Sequence, residues 1–416
     1  MLQDYSDKTV CVCDYGLFLS FAQLLSKYFG KVYYYCKWDE AFPTTSKHCV
    51  GEGVKGVISC EDFWRHYDEI DLFVFLDVYS GELQLFLERM GKRVWGSRRG
   101  EEIETKRAHS KRLLESVGLD AADWKEVTGM DALRAYLKHN KDQYVKISST
   151  RGDGETFYSK DYKNIQPRLD ALAHTLGPYQ EKMKFVCEAK IPDAVEIASD
   201  IYSIDGQFPS RGAVGIESKS RGYLGHFKQY SEFPKQLQEM NAAVAPTLAQ
   251  YGYRNLFAME ARITEDGVAH VIDPCCRAGS PPSEMLQNLY TNFPDIFWYG
   301  AEGTLIDPEP AAEYGAELII QASWAEKEWV QVDFPPEIAD NVKLRNFCIM
   351  DGKYYVTPGI VSIGAVVATG NTPEEAQEKC KSYAKQLDAY TLETEPEAFD
   401  EIAGEVAKLE KMGITF

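Results

Sequence analysis

The run Leu256-Phe257-Ala258-Met259-Glu260-Ala261-Arg262-Ile263-Thr264-Glu265-Asp266-Gly267-Val268-Ala269-His270-Val271-Ile272-Asp273 reads as two strands joined by a tight turn. Asp266-Gly267 is a favoured pair for a two-residue hairpin loop. With those two residues as the loop, Glu265 faces Val268, and stepping outward sets Glu260 opposite Asp273. Directly opposed residues hold their Cβ atoms about 4.5–5.5 Å apart, where two uncompensated carboxylates repel. A shared cation removes the conflict, and hard oxygen ligands from both strands suit Mg²⁺, which takes one or two carboxylates and completes its shell with phosphate and water. The alternative is that one acid points to solvent or pairs with Arg262 or Arg277. The register hangs on the turn, because a one-residue slip moves every side chain to the other face.

Toward the N-terminus, short apolar runs alternate with helical patterns: Thr9–Cys13, a helix near Leu17–Tyr28, Val32–Cys36, Val57–Ile58, Leu72–Leu76, a helix near Glu82–Met90, and Val94–Trp95. This alternation predicts βαβ units and a parallel sheet with ligands at the strand carboxyl ends. Asp14, Tyr15 and Gly16 follow the first strand and Ser80, Gly81 and Glu82 a later one, as ligand contacts or as ordinary turn residues. Glu101 to Gly118 reads as one charged helix with Ala108, Leu113, Leu114 and Val117 inward. A second helix around Leu133–Leu137 leads into a strand, Tyr144–Ser148, with Lys146 on the face opposite Val145 and Ile147. Further strands are expected at Lys184–Ala189, Val195–Ile204, Leu318–Gln321, Tyr354–Val356 and Ile363–Ala368. Thr372-Pro373-Glu374-Glu375 is a helix start with a capping box, and Asp307-Pro308-Glu309-Pro310 is the best linker candidate.

The 416 residues carry 45 Lys+Arg against 64 Asp+Glu, a formal charge of −19. That length suggests several domains, each with its own core, and the 44% hydrophobic content is that of a globular protein. An acidic surface repels a phosphate backbone and an anionic bilayer, so neither nucleic acid nor membrane is expected as the main partner. No apolar run is long enough to span a bilayer and the start has no signal-peptide pattern, which places the protein in the cytoplasm with its ten cysteines reduced and mostly buried. No zinc spacing is present among the cysteines and histidines.

Ser148-Ser149-Thr150-Arg151-Gly152-Asp153-Gly154 follows a strand end, and its glycines would let backbone N–H groups approach a phosphate, although such a loop is also simply a hairpin. Lys106, Lys146, Lys219 and Arg277 lie beside strand ends or loops; each alone is a surface charge, and a polyphosphate site needs several together.

The ordered set of features resembles the ATP-grasp superfamily, with its nearest likeness in the phosphoribosylamine-glycine ligase branch and the likeness spread over nearly the whole chain at low identity. Val94-Trp95-Gly96 resembles V-F-G, and Glu104-Thr105-Lys106 stands for G-S-K. Tyr144-Val145-Lys146-Ile147 resembles V-V-K-A, followed by the loop over the phosphates, with Ser149, Thr150, Gly152 and Gly154. Cys187 to Ile191 falls at the hinge, Glu196 at the G-E-E-x-S acid, and Glu217-Ser218-Lys219 at D-H-K. Val271 to Arg277 aligns with V-I-E-F-N-A-R, and Gly279-Ser280-Pro281-Pro282-Ser283-Glu284 stands for G-D-P-E. The strand from Gly364 and the helix start at Thr372 resemble the family's C-terminal end.

The resemblance implies an α/β ATP-grasp fold: a parallel domain over 1–101, a central domain over 102–117 and 188–306, a small lid over 118–187 and a C-terminal domain over 307–416. It implies ATP and Mg²⁺ or Mn²⁺ as cofactors. Lys106, Lys146 and the loop would hold phosphate; Glu188 would accept from the adenine amino group, the backbone near Ile191 would complete that contact, and Glu196 would bind the ribose hydroxyls. Glu260 and Asp273 would hold the metal, and Lys219 and Arg277 would offset charge on the transferring phosphoryl group. Asp14, Ser80, Cys275, Gly279 and Ser280 are the candidates for substrate contact. The implied reaction joins a small-molecule carboxylate, glycine or another amino acid, to an amine, possibly nucleotide-linked, through an acyl-phosphate. A catalytically silent nucleotide-binding regulatory or assembly protein is the alternative, and a biotin-dependent type of carboxylase shares the nucleotide half. Two departures bear on this. Cys275 replaces the family's metal-binding Asn, and Asp14-Tyr15-Gly16-Leu17-Phe18 replaces a glycine-rich anion-binding turn, which puts the phosphoribosylamine substrate in doubt and points to an acceptor less anionic there.

Overall fold

The computed structural model describes residues 3–36, 47–147 and 156–416. The first sheet is parallel and built from β1 (Tyr5–Asp14), β2 (Phe29–Cys36), β3 (Ile58–Ser59), β4 (Leu72–Phe75) and β5 (Arg93–Trp95), in the order β3-β2-β1-β4-β5. Its strands are apolar on both faces, as a sheet covered on both sides requires. Helices α1 (Leu19–Leu25) and α2 (Gly81–Arg89) follow β1 and β4. The strand order reverses between β1 and β4, the crevice where such sheets bind ligands.

A smaller antiparallel sheet holds β6 (Trp124–Thr128), β7 (Gln143–Ile147), β8 (Thr156–Ser159) and β9 (Lys184–Ala189), ordered β6-β9-β7-β8. It has its own core, in which Val145 and Ile147 of β7 meet Phe185 and Cys187 of β9 under Leu133, Leu137 and Leu169. The remaining strands run β10 (Ala194–Ile204), β11 (Arg211–Ser218), β12 (Gly222–Gln229), β13 (Arg254–Thr264), β14 (Ala269–Cys275), β15 (Tyr314–Ala322), β16 (Val330–Asp333), β17 (Val342–Leu344), β18 (Phe347–Met350), β19 (Lys353–Val356), β20 (Ser362–Gly370), β21 (Asp388–Ala389) and β22 (Leu392–Glu393). Among the described residues they form a nine-stranded sheet, β14-β13-β10-β11-β12-β15-β20-β17 with β22 beside β15, and a four-stranded one, β18-β19-β16-β21. Trp95 joins the first sheet to the large one: its indole donates to Asn255 Oδ1 at 2.8 Å, and Gly96 N donates to Arg254 O at 2.8 Å.

Three local expectations are corrected. The charged helix is two helices, α3 (Glu102–Thr105) and α4 (Arg107–Ser116), broken at Lys106, whose φ of −103° and ψ of 71° are not helical. The Asp307 to Pro310 stretch is tied down: Asp307 accepts from Ser210 N at 2.7 Å and Oγ at 2.6 Å, and Asn292 bonds the backbone at both Asp307 and Glu309. Thr372 caps its helix by accepting from Glu375 N, but the Glu375 carboxylate takes Asn371 N instead of the cap residue's own N–H.

The hairpin is the most instructive case. Its loop has three residues: Gly267 N donates to Thr264 O at 2.8 Å, Thr264 N donates to Val268 O at 3.0 Å, and Gly267 takes the left-handed φ of +83°. Pairing near the turn is therefore one residue away from the two-residue reading, with Ile263 facing Ala269, Arg262 facing His270 and Ala261 facing Val271. A bulge at Ile272 absorbs that residue, and beyond it Glu260 faces Asp273. The opposed acids are as expected, reached by two compensating irregularities.

Gly267→Ala adds a methyl that meets nothing within 4 Å, so its cost is purely conformational. A loss of about 1–2 kcal/mol is expected in urea denaturation. Unchanged stability would mean that this turn does not need its left-handed residue.

Candidate functional site

Elements from α4 to β14 bring charged side chains to the Glu260–Asp273 pair. The β7–β9 register puts Tyr144 opposite Glu188, so Lys146, two residues on from Tyr144, lies on the same face as Glu188 and away from the lid core. Lys146 Nζ is 3.3 Å from Glu188 Oε1, 3.8 Å from Asp273 Oδ2, and donates to Ile272 O at 2.9 Å. The bulge that restores the strand register thus also turns a carbonyl toward this ammonium. Lys111 of α4 is 3.3 Å from Glu188 Oε2 and donates to Ala121 O at 3.0 Å, and Arg107 Nη1 is 3.4 Å from Asp273 Oδ1. All three cations are nearly covered.

On the other side of the pair, Lys219 Nζ sits among three carboxylates: Glu196 at 2.7 Å, Glu217 at 2.9 Å and Glu260 at 3.2 Å. Arg262 also binds Glu196, at 3.2 Å. The site therefore has a basic half (Arg107, Lys111 and Lys146 against Glu188 and Asp273) and an acidic half (Lys219 and Arg262 against Glu196, Glu217 and Glu260), which meet at the opposed acids.

The charges set the titration. Burial works to raise Asp273, but Lys146, Arg107 and Lys111 outweigh it and hold its carboxyl below the usual range. Burial pushes Glu260 up to about 8, with Lys219 opposing and Glu196, Glu217 and Asp273 adding to the rise. Burial lowers Lys111 despite the nearby Glu188. Loss of hydration works to lower Lys219, whose side chain is still 54% exposed, but Glu260, Glu217 and Glu196 outweigh it and hold the ammonium well above its ordinary value.

Two of the expected nucleotide contacts, Lys106 and Glu188, are paired with protein side chains. Lys106 lies at the break between α3 and α4, and its side chain is 56% exposed in a surface pair with Glu102 at 3.1 Å; the restart of the helix at Arg107 aims Arg107 and Lys111 inward instead. Those two residues stand at i and i+4 on the face shared by the buried Ala108 and Leu114, a spacing readable in the sequence. Glu188 is buried with each oxygen 3.3 Å from a lysine ammonium, Oε2 from Lys111 and Oε1 from Lys146, and Oε1 has no hydrogen-bond partner among the described residues. Ile191 does line an open cleft of about 410 Å³ with Ala189, Lys190, Asp120 to Asp123 and His270, and that cleft reaches Ala121, the acceptor of Lys111. Glu196, Glu217, Lys219 and Arg262 line a separate cleft of about 360 Å³. Ser149, Thr150, Gly152 and Gly154 lie outside the described residues.

Arg277 belongs to the junction with the first sheet. Its Nε is 2.9 Å from Glu104 Oε1 and 4.0 Å from Asp77 Oδ1, and the other Glu104 oxygen accepts from Cys276 N at 2.8 Å. Asp77 also lines a cavity of about 260 Å³ at the strand-order reversal, with Asp14, Tyr15, Tyr35, Tyr79, Ser80, Glu82 and Glu101. Asp14 is buried; its Oδ2 accepts from Phe18 N at 2.6 Å and Tyr34 at 2.8 Å, while Oδ1 has no hydrogen-bond partner. Burial, reinforced by Asp77, raises its carboxyl. The Ser80 backbone N–H binds Glu101 at 3.1 Å. Cys275 is buried and in no disulfide, with its thiol 3.8 Å from Arg277 O. Ser280 donates to Glu284 at 2.6 Å and also contacts Arg345, and Gly279 O accepts from Ser283 N at 2.9 Å, so both serve the turn after β14.

Among the described residues no three His, Cys, Asp or Glu side chains are grouped to hold a metal ion, and no helix is long and apolar enough to cross a membrane. Two opposed carboxylates, one of them with a strongly raised carboxyl, fit a hard divalent cation that takes the rest of its shell from phosphate and water. A neutral thiol at Cys275 adds little to such a shell.

No family model matches the sequence, and no curated protein matches it. Solved structures match in three dimensions. Phosphoribosylamine-glycine ligase from Thermotoga maritima superposes with a TM-score of 0.69 at 15% identity, over 92% of this chain and 98% of that one. The biotin carboxylase domain of 2-oxoglutarate carboxylase from Hydrogenobacter thermophilus, solved with MgADP and bicarbonate, gives 0.66 at 12% identity, over 96% and 98%. An L-amino acid ligase from Bacillus licheniformis gives 0.61 at 16% identity, over 94% and 99%. Parallel domain, small antiparallel lid and large antiparallel sheet thus follow one plan along nearly the whole chain, and that plan is the ATP-grasp fold in a strongly diverged sequence.

Proposed function

We propose that this chain is an ATP- and Mg²⁺-dependent ligase that joins a small-molecule carboxylate to an amine through an acyl-phosphate. The observation that carries the reading is the bipartite charge of the site, a basic half suited to a polyphosphate joined to an acidic half suited to a divalent cation. Lys111 and Lys146 would exchange Glu188 for phosphate oxygens, and Ile191 would meet the base in the neighbouring cleft. Glu260 and Asp273 would hold the metal, which when bound supplies charge neutralisation for phosphoryl transfer. Lys219 and Arg277 would offset charge on the group being transferred, and the carboxylate and amine would be positioned for attack rather than activated covalently by the protein. The solved ligases and the carboxylase domain share this fold, and the cavity at Asp14 favours an acceptor that carries no phosphate at that end, since Asp14, Asp77, Glu82 and Glu101 would repel one. The placement of the Lys219 ammonium against Glu260 favours one rival, a catalytically silent nucleotide-binding protein, whose signature is ATP binding that persists without Mg²⁺ and no turnover.

The test is ADP and phosphate release from ATP and Mg²⁺ with a panel of carboxylates, bicarbonate included, and amines. Release that requires both a carboxylate and an amine is expected; release with bicarbonate alone would favour a carboxylase. Failure to bind ATP, or turnover unchanged by Glu260→Ala combined with Asp273→Ala, would overturn the assignment.

Lys111→Met and Lys146→Met are each expected to weaken ATP binding by about tenfold or more, the loss of one charge-assisted contact. Lys106→Ala should stay within about twofold in the same titration, since its side chain is a surface one.

Glu260 also predicts a pH dependence. A carboxyl raised to about 8 contributes stability that is complete below its unfolded value and is lost as pH rises through the folded one. Cation-free protein should therefore lose stability between about pH 5 and pH 8, and Glu260→Gln should flatten part of that slope. Asp200, which burial pushes up to about 7, has the same sign and remains in the variant, so the readout is the difference between the two proteins. Mg²⁺ should raise the melting temperature of the parent more at pH 8 than at pH 6, and should not do so in Glu260→Gln.

A further inference from the structure

A cleft of about 650 Å³ lies apart from these charged residues, where α1 and the segment before β3 meet the C-terminal strands. Lys27, Lys55 and Lys343 line it, against one lining carboxylate, Asp340, which Lys27 already engages at 2.7 Å. In a chain of charge −19 this is a local excess of positive charge.

Two of its lining groups have unmet needs. Lys343, on β17, is 8% exposed and forms no hydrogen bond or ion pair with any described residue. Burial drives its ammonium down to about 8; Asp340, Glu284 and Glu317 counter this from a distance and Lys27 adds to it, while Glu284 itself is engaged by Arg345 at 2.8 Å. A buried ammonium without a counter-ion is costly, and lysines rarely sit so without a partner. Gln287, on the helix Ser283–Leu289, is 4% exposed. Its amide N–H₂ donates to Ser20 Oγ at 3.0 Å and Ser283 O at 3.4 Å, which fixes the amide's orientation, and its Oε1 is left buried with no donor. One cleft therefore offers a cation lacking an anion and an acceptor lacking a donor.

We propose that this cleft is a second ligand site, for a small anion that also carries a hydroxyl group: the anionic oxygens on Lys343, with Lys27 and Lys55 at the rim, and the hydroxyl donating to Gln287 Oε1. Phosphate esters and hydroxy acids share this chemistry, and calorimetry on the full chain without ATP separates them, using glycerol 3-phosphate, malate, inorganic phosphate and glycerol as probes. At neutral pH, inorganic phosphate is expected to bind, and either glycerol 3-phosphate or malate to bind about tenfold more tightly; glycerol should not bind. Lys343→Met should weaken every anion by about tenfold or more, and Lys343→Arg should restore binding, so that a folding defect in the methionine variant cannot decide the matter. Gln287→Leu should abolish the preference over inorganic phosphate and leave phosphate affinity unchanged. Raising the pH from about 7.5 to about 9.5, where both hydroxylated probes stay ionised, should weaken binding as Lys343 loses its proton. No anion binding at about 10 mM, or equal affinity in Lys343→Met, would overturn the site; a glutamine variant that keeps the preference would overturn the role of the hydroxyl.

Discussion

Two half-buried carboxylates facing each other across a hairpin repel unless positive charge comes with them. At about 4 Å and an effective dielectric near 20, like charges repel by roughly 4 kcal/mol, enough to consume much of a domain's stability. Glu260 and Asp273 meet this constraint differently. Asp273 collects Arg107 and Lys146, which hold its carboxyl below the usual range, while Glu260 has Lys219 but shares it with Glu196 and Glu217, and its carboxyl is raised. The polarity of the whole centre follows from this split. Helix α4 and β7 bring cations to the Asp273 side, whereas β10 and β11 bring Glu196 and Glu217 to the Glu260 side and leave Lys219 to serve three acids.

A second consequence concerns the first sheet. Arg277 follows the hairpin directly and is held by Glu104 and Asp77, so the acid pair and the crevice of the parallel sheet are linked through one guanidinium. Asp77 looks both ways, toward Arg277 and into the cavity with Asp14. Carboxylates and tyrosines occupy a position where an anion-binding turn stands in the family that the sequence resembles, and the cavity's character is thereby reversed.

Much of the fold was legible from periodicity, because buried strands such as Leu72–Phe75 and amphipathic helices such as Met130–His139 carry strong apolar patterns. The opposed acids were legible too, yet by a route that erred at the turn and was rescued by the bulge at Ile272, whose position no propensity marks. A motif gives spacing but not helix phase, and the non-helical backbone at Lys106 resets that phase so that Arg107 and Lys111 point inward. Sequence order does not reveal cross-strand neighbours, and the pairing of Glu188 with Tyr144 that puts it beside Lys146 is seen only in the fold. The unpartnered Lys343 and Gln287 had no signal at all, since a missing partner is a property of three-dimensional surroundings.

The hydrogen bond from Lys146 to Ile272 O has a mechanical meaning. The small sheet has an apolar core separate from the main one, and at this point it is held by charged groups, Lys146 and Glu188 on one side against Lys111, the Ile272 carbonyl and Asp273 on the other. An ionic fastening is short-ranged, sensitive to the ionic composition around it, and open to exchange: any anion that captures the lysine takes over the fastening. The hold of the small sheet on Ile272 is in this sense set by the charge around Lys146 and loosens as salt screens it.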